Sequence, residues 1–186
     1  PGTMGMKSID YLIADNTIVS ESNLSHYSEK IIYLPGSYQV NDSQRPISDR
    51  QFTRGELGLP ADGFVFCCFN DSYKITPETF QIWTRILKAV ENSVLWLLSD
   101  NPKTIANLRN EALTQGINPD RIIFAPRISI EDHLARQRGA DLFLDTFPCN
   151  AHTTASDALW AGLPLLTCTG ESFASRVAAS LLNATG

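Results

Sequence analysis

The run Ala151-His152-Thr153-Thr154 brings together an imidazole, two hydroxyls and successive backbone N–H groups at the start of a segment with helical spacing. Unpaired amides and the positive end of a helix dipole favour a bound anion there, and Thr153 and Thr154 add hydroxyl donors. Threonine is a common N-cap, so capping accounts for one of the two. It does not account for His-Thr-Thr in succession. Lys74 follows Asn70-Asp71-Ser72-Tyr73 at the end of an apolar run, where a cation would reach the same anion. A solvated surface lysine is the plainer alternative. His133 and Arg136 are three residues apart, a spacing that puts both on one helix face and that also suits an exposed pair. Asp157, one turn into the His152 segment, is placed to accept hydrogen bonds from sugar hydroxyls. An acid near a helix N-terminus is favourable without any ligand as well.

Other chemistries are poorly served. No G-x-G-x-x-G follows a strand, no Walker A Gly-Lys-Ser/Thr occurs, and no D-x-D pair is present to hold a divalent metal against a diphosphate. A diphosphate here would have its charge met by Lys74, amides and hydroxyls, so no metal cofactor is expected. Four cysteines (Cys67, Cys68, Cys149, Cys168) and three histidines show no zinc-ligand spacing and read as free thiols in a reducing, cytoplasmic setting. With 15 basic and 20 acidic residues the net charge is −5, which disfavours a nucleic-acid partner. No apolar run reaches the ~18 residues of a membrane span.

The elements that would position these residues follow from periodicity. Short strands are expected at Tyr11–Ala14 and 30–34, with a short helix from about Ser20 between them and another over 49–57, closed by Gly58. From residue 63 the rhythm is regular. Strands are expected at Phe64–Phe69, Val94–Leu98, Ile122–Ala125, 142–145 and 163–167. Helices alternate with them. One starts at Thr76-Pro77, and one at Asn101-Pro102 with Ile105, Leu108 and Leu113 inward. Ser129-Ile130-Glu131-Asp132 opens another, with the form of a reciprocal cap, and the last two cover about 153–161 and 172–182. Five apolar strands alternating with amphipathic helices imply an α/β fold, a Rossmann-like doubly wound parallel sheet. Ligands in such sheets bind beyond the carboxyl ends of the strands, where the candidate residues fall.

The residues also resemble a known family. Asn70–Pro77 (NDSYKITP), Ser93–Leu98 (SVLWLL), Cys149–Leu165 (CNAHTTASDALWAGLPL) and Gly170–Leu181 (GESFASRVAASL) are similar to the catalytic region of the O-linked N-acetylglucosaminyltransferases, the O-GlcNAc transferase and SPINDLY-like family. Pro1–Gly5 and Asp10–Asp15 resemble the segment just upstream, and the likeness, of bacterial type, runs through nearly the whole chain in order. It implies a metal-independent, inverting glycosyltransferase of two Rossmann lobes (GT-B) using UDP-GlcNAc on protein Ser/Thr hydroxyls. Residues 1–62 would be the end of the N-terminal lobe and the crossover. Residues 63–186 would be the C-terminal, nucleotide-sugar-binding lobe, with tetratricopeptide repeats upstream and further residues absent at both ends.

By the same resemblance, Lys74 matches the lysine on the donor diphosphate, stabilising charge on the UDP leaving group. His152, Thr153 and Thr154 match the loop on the same phosphates, Asp157 an acid on the ribose, and His133 and Arg136 the lining of the uracil pocket. Asn70 and Asp71 are further candidates. The animal enzymes have Gln at Asp71 and a ribose-contacting Lys at Ile130, which bears on donor identity. The plant fucosyl-transferring branch lacks His at the His152 position, so His152 favours N-acetylglucosamine. The alternatives are another UDP-sugar or acceptor, such as glucose onto Asn, and a nucleotide- or partner-binding module without turnover. By itself the chain is expected to bind UDP weakly and transfer nothing.

Overall fold

The computed structural model describes residues 2–99 and 101–186; Pro1, from the segment 1–5 cited above, lies outside the described residues. Every strand pairing is parallel. β1 (Tyr11–Ala14) and β2 (Lys30–Tyr33) form a small two-stranded sheet. β3 (Phe64–Cys68), β4 (Ser93–Leu98), β5 (Ile122–Ala125), β6 (Leu142–Leu144) and β7 (Leu165–Leu166) form a second sheet in the order β5-β4-β3-β6-β7. The connecting helices are α1 (Pro77–Ala89), α2 (Pro102–Thr114), α3 (Ile130–Arg136) and α4 (Thr153–Trp160), with α5 (Val177–Thr185) closing the chain. The order runs outward from β3 one way and from β6 the other. The switch point between them is where this architecture opens a crevice for ligand.

Local chemistry explains these elements. Thr76 caps α1 by accepting from Thr79 N at 3.2 Å, Pro77 occupies its first turn, and Phe80, Trp83, Thr84 and Leu87 form its buried stripe. β4 is buried at all six positions, as a central parallel strand covered by helices on both faces must be. Gly63, just before β3, has φ +103, and a Cβ there would stand 2.0 Å from the Asn92 carbonyl oxygen, so only glycine lets β3 start beside β4. A second, smaller core joins Ala14, Ile18 and Val19 to Phe173 and Val177. Buried Asp15 ties the same region by accepting from Ile18 N (2.9 Å), Tyr38 N (2.8 Å) and the Ser180 hydroxyl (2.6 Å).

Several expected elements come out differently. The helix over 49–57 is absent: Thr53 and Glu56 close a single turn, Gly58 at φ +70 ends it, and Gly55 adds no helix propensity. The last strand is only two residues long, since Pro164 has no N–H to give and offers only its carbonyl, to Phe143 N at 2.8 Å. The helix over 172–182 is split. A capping box between Ser172 and Ser175 closes a 3-10 turn (Phe173–Ser175), and Arg176 at φ −126 interrupts it before α5. In α2 the inward stripe is Ile105, Leu108 and Ala112, while Leu113 is 63% exposed, because 3.6-residue geometry swings it off the stripe.

Candidate functional site

Asp145, the first residue past β6, shapes the loop that follows. Its carboxylate accepts from Thr146 N (2.7 Å), Ala151 N (2.6 Å) and the Thr167 hydroxyl (2.6 Å), turning 146–151 back on itself. Burial pushes this carboxyl above its usual range, and these hydrogen bonds pull the other way. Asn150, fully buried, donates through Nδ2 to the Thr146 carbonyl at 2.9 Å, while its own carbonyl accepts from Lys74 Nζ at 2.9 Å. Lys74 rides on a 3-10 turn (Ser72–Lys74) and is half-buried. The freely solvated alternative does not hold. Its ammonium is carried to the loop that leads into α4.

Asn70, 2% exposed, donates to Thr146 Oγ1 at 2.8 Å and accepts from the Thr154 hydroxyl. A threonine hydroxyl has one proton. With that proton on Asn70, Thr154 can only accept in this arrangement, and the donors that an anion at the head of α4 would meet are Thr153, the first amides of the helix and Lys74. His152 occupies the N-cap position of α4 without capping it through its side chain. Burial first, and the Lys74 charge second, hold its imidazole below the usual histidine range, so it is neutral at pH 7.

The opposite end of the crevice is built around Arg136, a 2% exposed side chain on a buried face of α3. Its Nη1 donates to the Pro126 carbonyl at 2.6 Å, its Nε and Nη2 lie 3.1 and 2.7 Å from His133 Nδ1, and its plane covers Phe69 and Trp96 at 5.2 and 5.8 Å. This is not the exposed pair that its spacing also allowed. Because Arg136 has only donors, His133 Nδ1 is an acceptor and its proton sits on Nε2. His133 meets the Phe69 ring edge-on at 5.0 Å. Burial, with Arg136, Arg127 and Arg45 adding repulsion, lowers its pKa to about 4.

That depression makes stability pH-dependent in a definite direction. Between about 4 and the ordinary 6.5 the unfolded chain binds a proton that folded His133 refuses. Its contribution is complete above 6.5 and falls away as pH drops to about 4. Urea unfolding followed from pH 7 to 4.5 should show a loss of up to ~3 kcal/mol that is largely absent in His133→Gln. An unchanged slope in that variant would contradict the assignment.

Asp157, 5% exposed, lies on the first turns of α4 in an ion pair with Arg45 Nη1 at 2.6 Å. At the rim, Asp71 and Arg127 pair across the opening at 2.9 Å. One cleft of about 400 Å3 connects all of this, and each of Asn70, Asp71, Lys74, His133, Arg136, His152, Thr153, Thr154 and Asp157 lines it. Three segments far apart in sequence, 69–74, 127–136 and 152–157, thus meet at the β3–β6 switch point. Sequence reasoning passed over Phe69, Arg127 and Asp145, which build the same site. Asp145 carried a usable signal, an acid at the carboxyl end of an apolar strand; Arg127 and Phe69 carried none. Among the described residues no group of three or more His, Cys, Asp or Glu side chains could hold a metal ion. Among them, too, no helix is long and apolar enough to cross a membrane.

Comparison with known proteins follows the same lines. The model of glycosyl transferase family 41 matches residues 46–186. The probable UDP-N-acetylglucosamine–peptide N-acetylglucosaminyltransferase SEC of Arabidopsis thaliana is 45% identical over 192 residues, covering 100% of this chain and 20% of that protein. A UDP-N-acetylglucosamine–peptide N-acetylglucosaminyltransferase of Caenorhabditis elegans is 44% identical over 134 residues, 72% of this chain and 12% of that protein. Among solved structures, a mutant O-GlcNAc transferase of Thermobaculum terrenum superposes with a TM-score of 0.84 at 28% identity, over 97% of this chain and 34% of that one. The chain therefore spans a fifth or less of the length of these two curated relatives.

Proposed function

The chain belongs to glycosyl transferase family 41, and from that premise we propose that it forms the donor-binding part of an enzyme transferring N-acetylglucosamine from UDP-GlcNAc to protein Ser/Thr hydroxyls. Residues 63–186 are the nucleotide-sugar lobe in this proposal, and residues 1–62 the end of the preceding lobe and its crossover. The observation that carries it is the placement of Lys74, held by the Asn150 carbonyl at 2.9 Å beside the N-terminus of α4. A diphosphate at that point meets an ammonium, the amides of Thr153 and Thr154, and the Thr153 hydroxyl, with His152 alongside as a neutral ring.

The nucleoside lies toward His133, whose Nε2–H is a donor for a base carbonyl and whose orientation Arg136 fixes. Asp157 accepts from the ribose hydroxyls. During transfer the UDP leaving group gains negative charge, and Lys74 with the α4 amides stabilises it where it develops. Because these groups supply the positive field, no metal cofactor enters the proposal. A cytoplasmic setting, suggested by four free cysteines, and tetratricopeptide repeats upstream in a longer protein belong to it as well.

Calorimetry with the chain tests this reading. UDP and UDP-GlcNAc should bind weakly but measurably, ADP and GDP at least about tenfold more weakly, and EDTA should change nothing. Equal binding of all nucleoside diphosphates, or a strict requirement for added Mg2+, would refute it. Sugar transfer to a protein acceptor is expected only when the chain stands within the longer enzyme.

A further inference from the structure

The ribose acid of the proposed donor site is not placed by its own helix alone. Residues 41–48, an irregular segment ahead of β3, lie across α3 and α4 and are fastened at four points. Asn41 Oδ1 accepts from the Ser156 hydroxyl, the Arg45 carbonyl accepts from Trp160 Nε1 at 3.1 Å, and Ser48 N donates to the Glu131 carbonyl at 3.2 Å. The fourth point is the ion pair of Arg45 Nη1 with Asp157 Oδ1 at 2.6 Å, between side chains only 21% and 7% exposed. The first three leave the Arg45 side chain unused. Its Nε is buried and has no partner among the described residues, and Asp157 is its one anionic partner among them. The guanidinium is therefore directed at Asp157 and contributes little else to holding the segment down.

From this geometry we infer that Arg45 is a positioning residue for ribose recognition, acting through Asp157. The inference rests on the donor-site reading above. An ionised carboxylate accepts from both hydroxyls of a vicinal diol, whereas a neutral acid gives up one of those acceptors. Asp157 lies in a setting where burial alone favours the neutral form, and the Arg45 charge opposes it. Paired with Nη1 through one oxygen, the carboxylate is held in place on the wall of the cleft that it lines. Arg45 itself does not line the cleft, and it stands one residue before the region matched by the family model, 46–186. A segment from before the nucleotide-binding lobe thus completes the sugar end of the nucleoside pocket.

The test compares UDP with its 2′-deoxy analogue by calorimetry on the unsubstituted chain and on Arg45→Gln, Arg45→Lys and Asp157→Asn. The unsubstituted chain should prefer UDP by about tenfold or more, the worth of a hydrogen bond to a charged group. Arg45→Gln should lose most of that preference, by weakening UDP about tenfold while leaving deoxy-UDP within about twofold. Asp157→Asn should lose it similarly, and Arg45→Lys should restore it in large part. Because the backbone ties of the segment survive any side-chain change at Arg45, folding is expected to persist; should Arg45→Gln not fold, Arg45→Met takes its place. An undiminished UDP preference without the guanidinium would overturn the inference. So would equal weakening of both nucleotides, which marks a merely structural arginine. If the unsubstituted chain bound neither nucleotide, the donor-site reading itself would fall.

Discussion

Lys74→Ala should weaken UDP binding by about 10- to 100-fold, as expected for loss of a charged donor to a phosphate. Uridine, which carries no phosphate, should bind within about twofold of its original affinity. The contrast follows from position. Lys74 Nζ is fixed by the Asn150 carbonyl at 2.9 Å near the head of α4, while the nucleoside contacts assigned to His133 and Asp157 lie on α3 and further along α4. In the longer enzyme the same substitution should lower kcat further, by about 10²–10³, because charge on the leaving group is greatest in the transition state. Lys74→Arg should recover little, since a planar guanidinium cannot occupy the place of a compact ammonium. An equal loss for uridine and UDP would show that Lys74 only braces the 146–151 loop.

The second large effect is on folding. Arg136→Ala removes a 2% exposed guanidinium that bonds to the Pro126 carbonyl and His133 and covers Phe69 and Trp96. It leaves a cavity and a buried carbonyl without its donor, together costing about 3–5 kcal/mol. Domains of this size are stable by only about 5–15 kcal/mol, so the urea midpoint should drop sharply. Burial lowers the Arg136 pKa to about 10, which still leaves it charged at neutral pH. With that charge gone, the His133 imidazole should titrate closer to its ordinary value, visible by NMR in whatever fraction remains folded. A stability loss below ~1 kcal/mol would mean that water replaces the guanidinium, and that Arg136 does not anchor the nucleoside end.

The regular part of the fold was legible because its signals are local. The apolar runs of β3 and β4 and the Thr76-Pro77 start of α1 involve residues that meet within one strand or one turn. Where local signals competed, the reading failed. Residues 49–57 read as a short helix, yet Gly55, the following Gly58 and the Thr53–Glu56 turn win over a segment too short to hold a helix by itself. Over 172–182, periodicity cannot show that Ser175 returns to Ser172 and breaks the helix.

The candidate site divides in the same way. Residue types mark Lys74, His152, Thr153 and Thr154 as candidates for an anion site, and alternating periodicity places them after strands, so the sequence by itself determined the fold class and which residues to propose for binding. Only the tertiary structure decided which groups are free to act. It turned Thr154 from a donor into an acceptor through Asn70, and it buried Arg136 beneath His133. It also set Arg45 on Asp157 from an irregular segment that no periodicity describes. The physical reason is distance along the chain. Lys74 and the Asn150 carbonyl are 76 residues apart, and the direction of a hydrogen bond or the burial of a charge depends on neighbours brought in by the folded sheet, which no local pattern encodes.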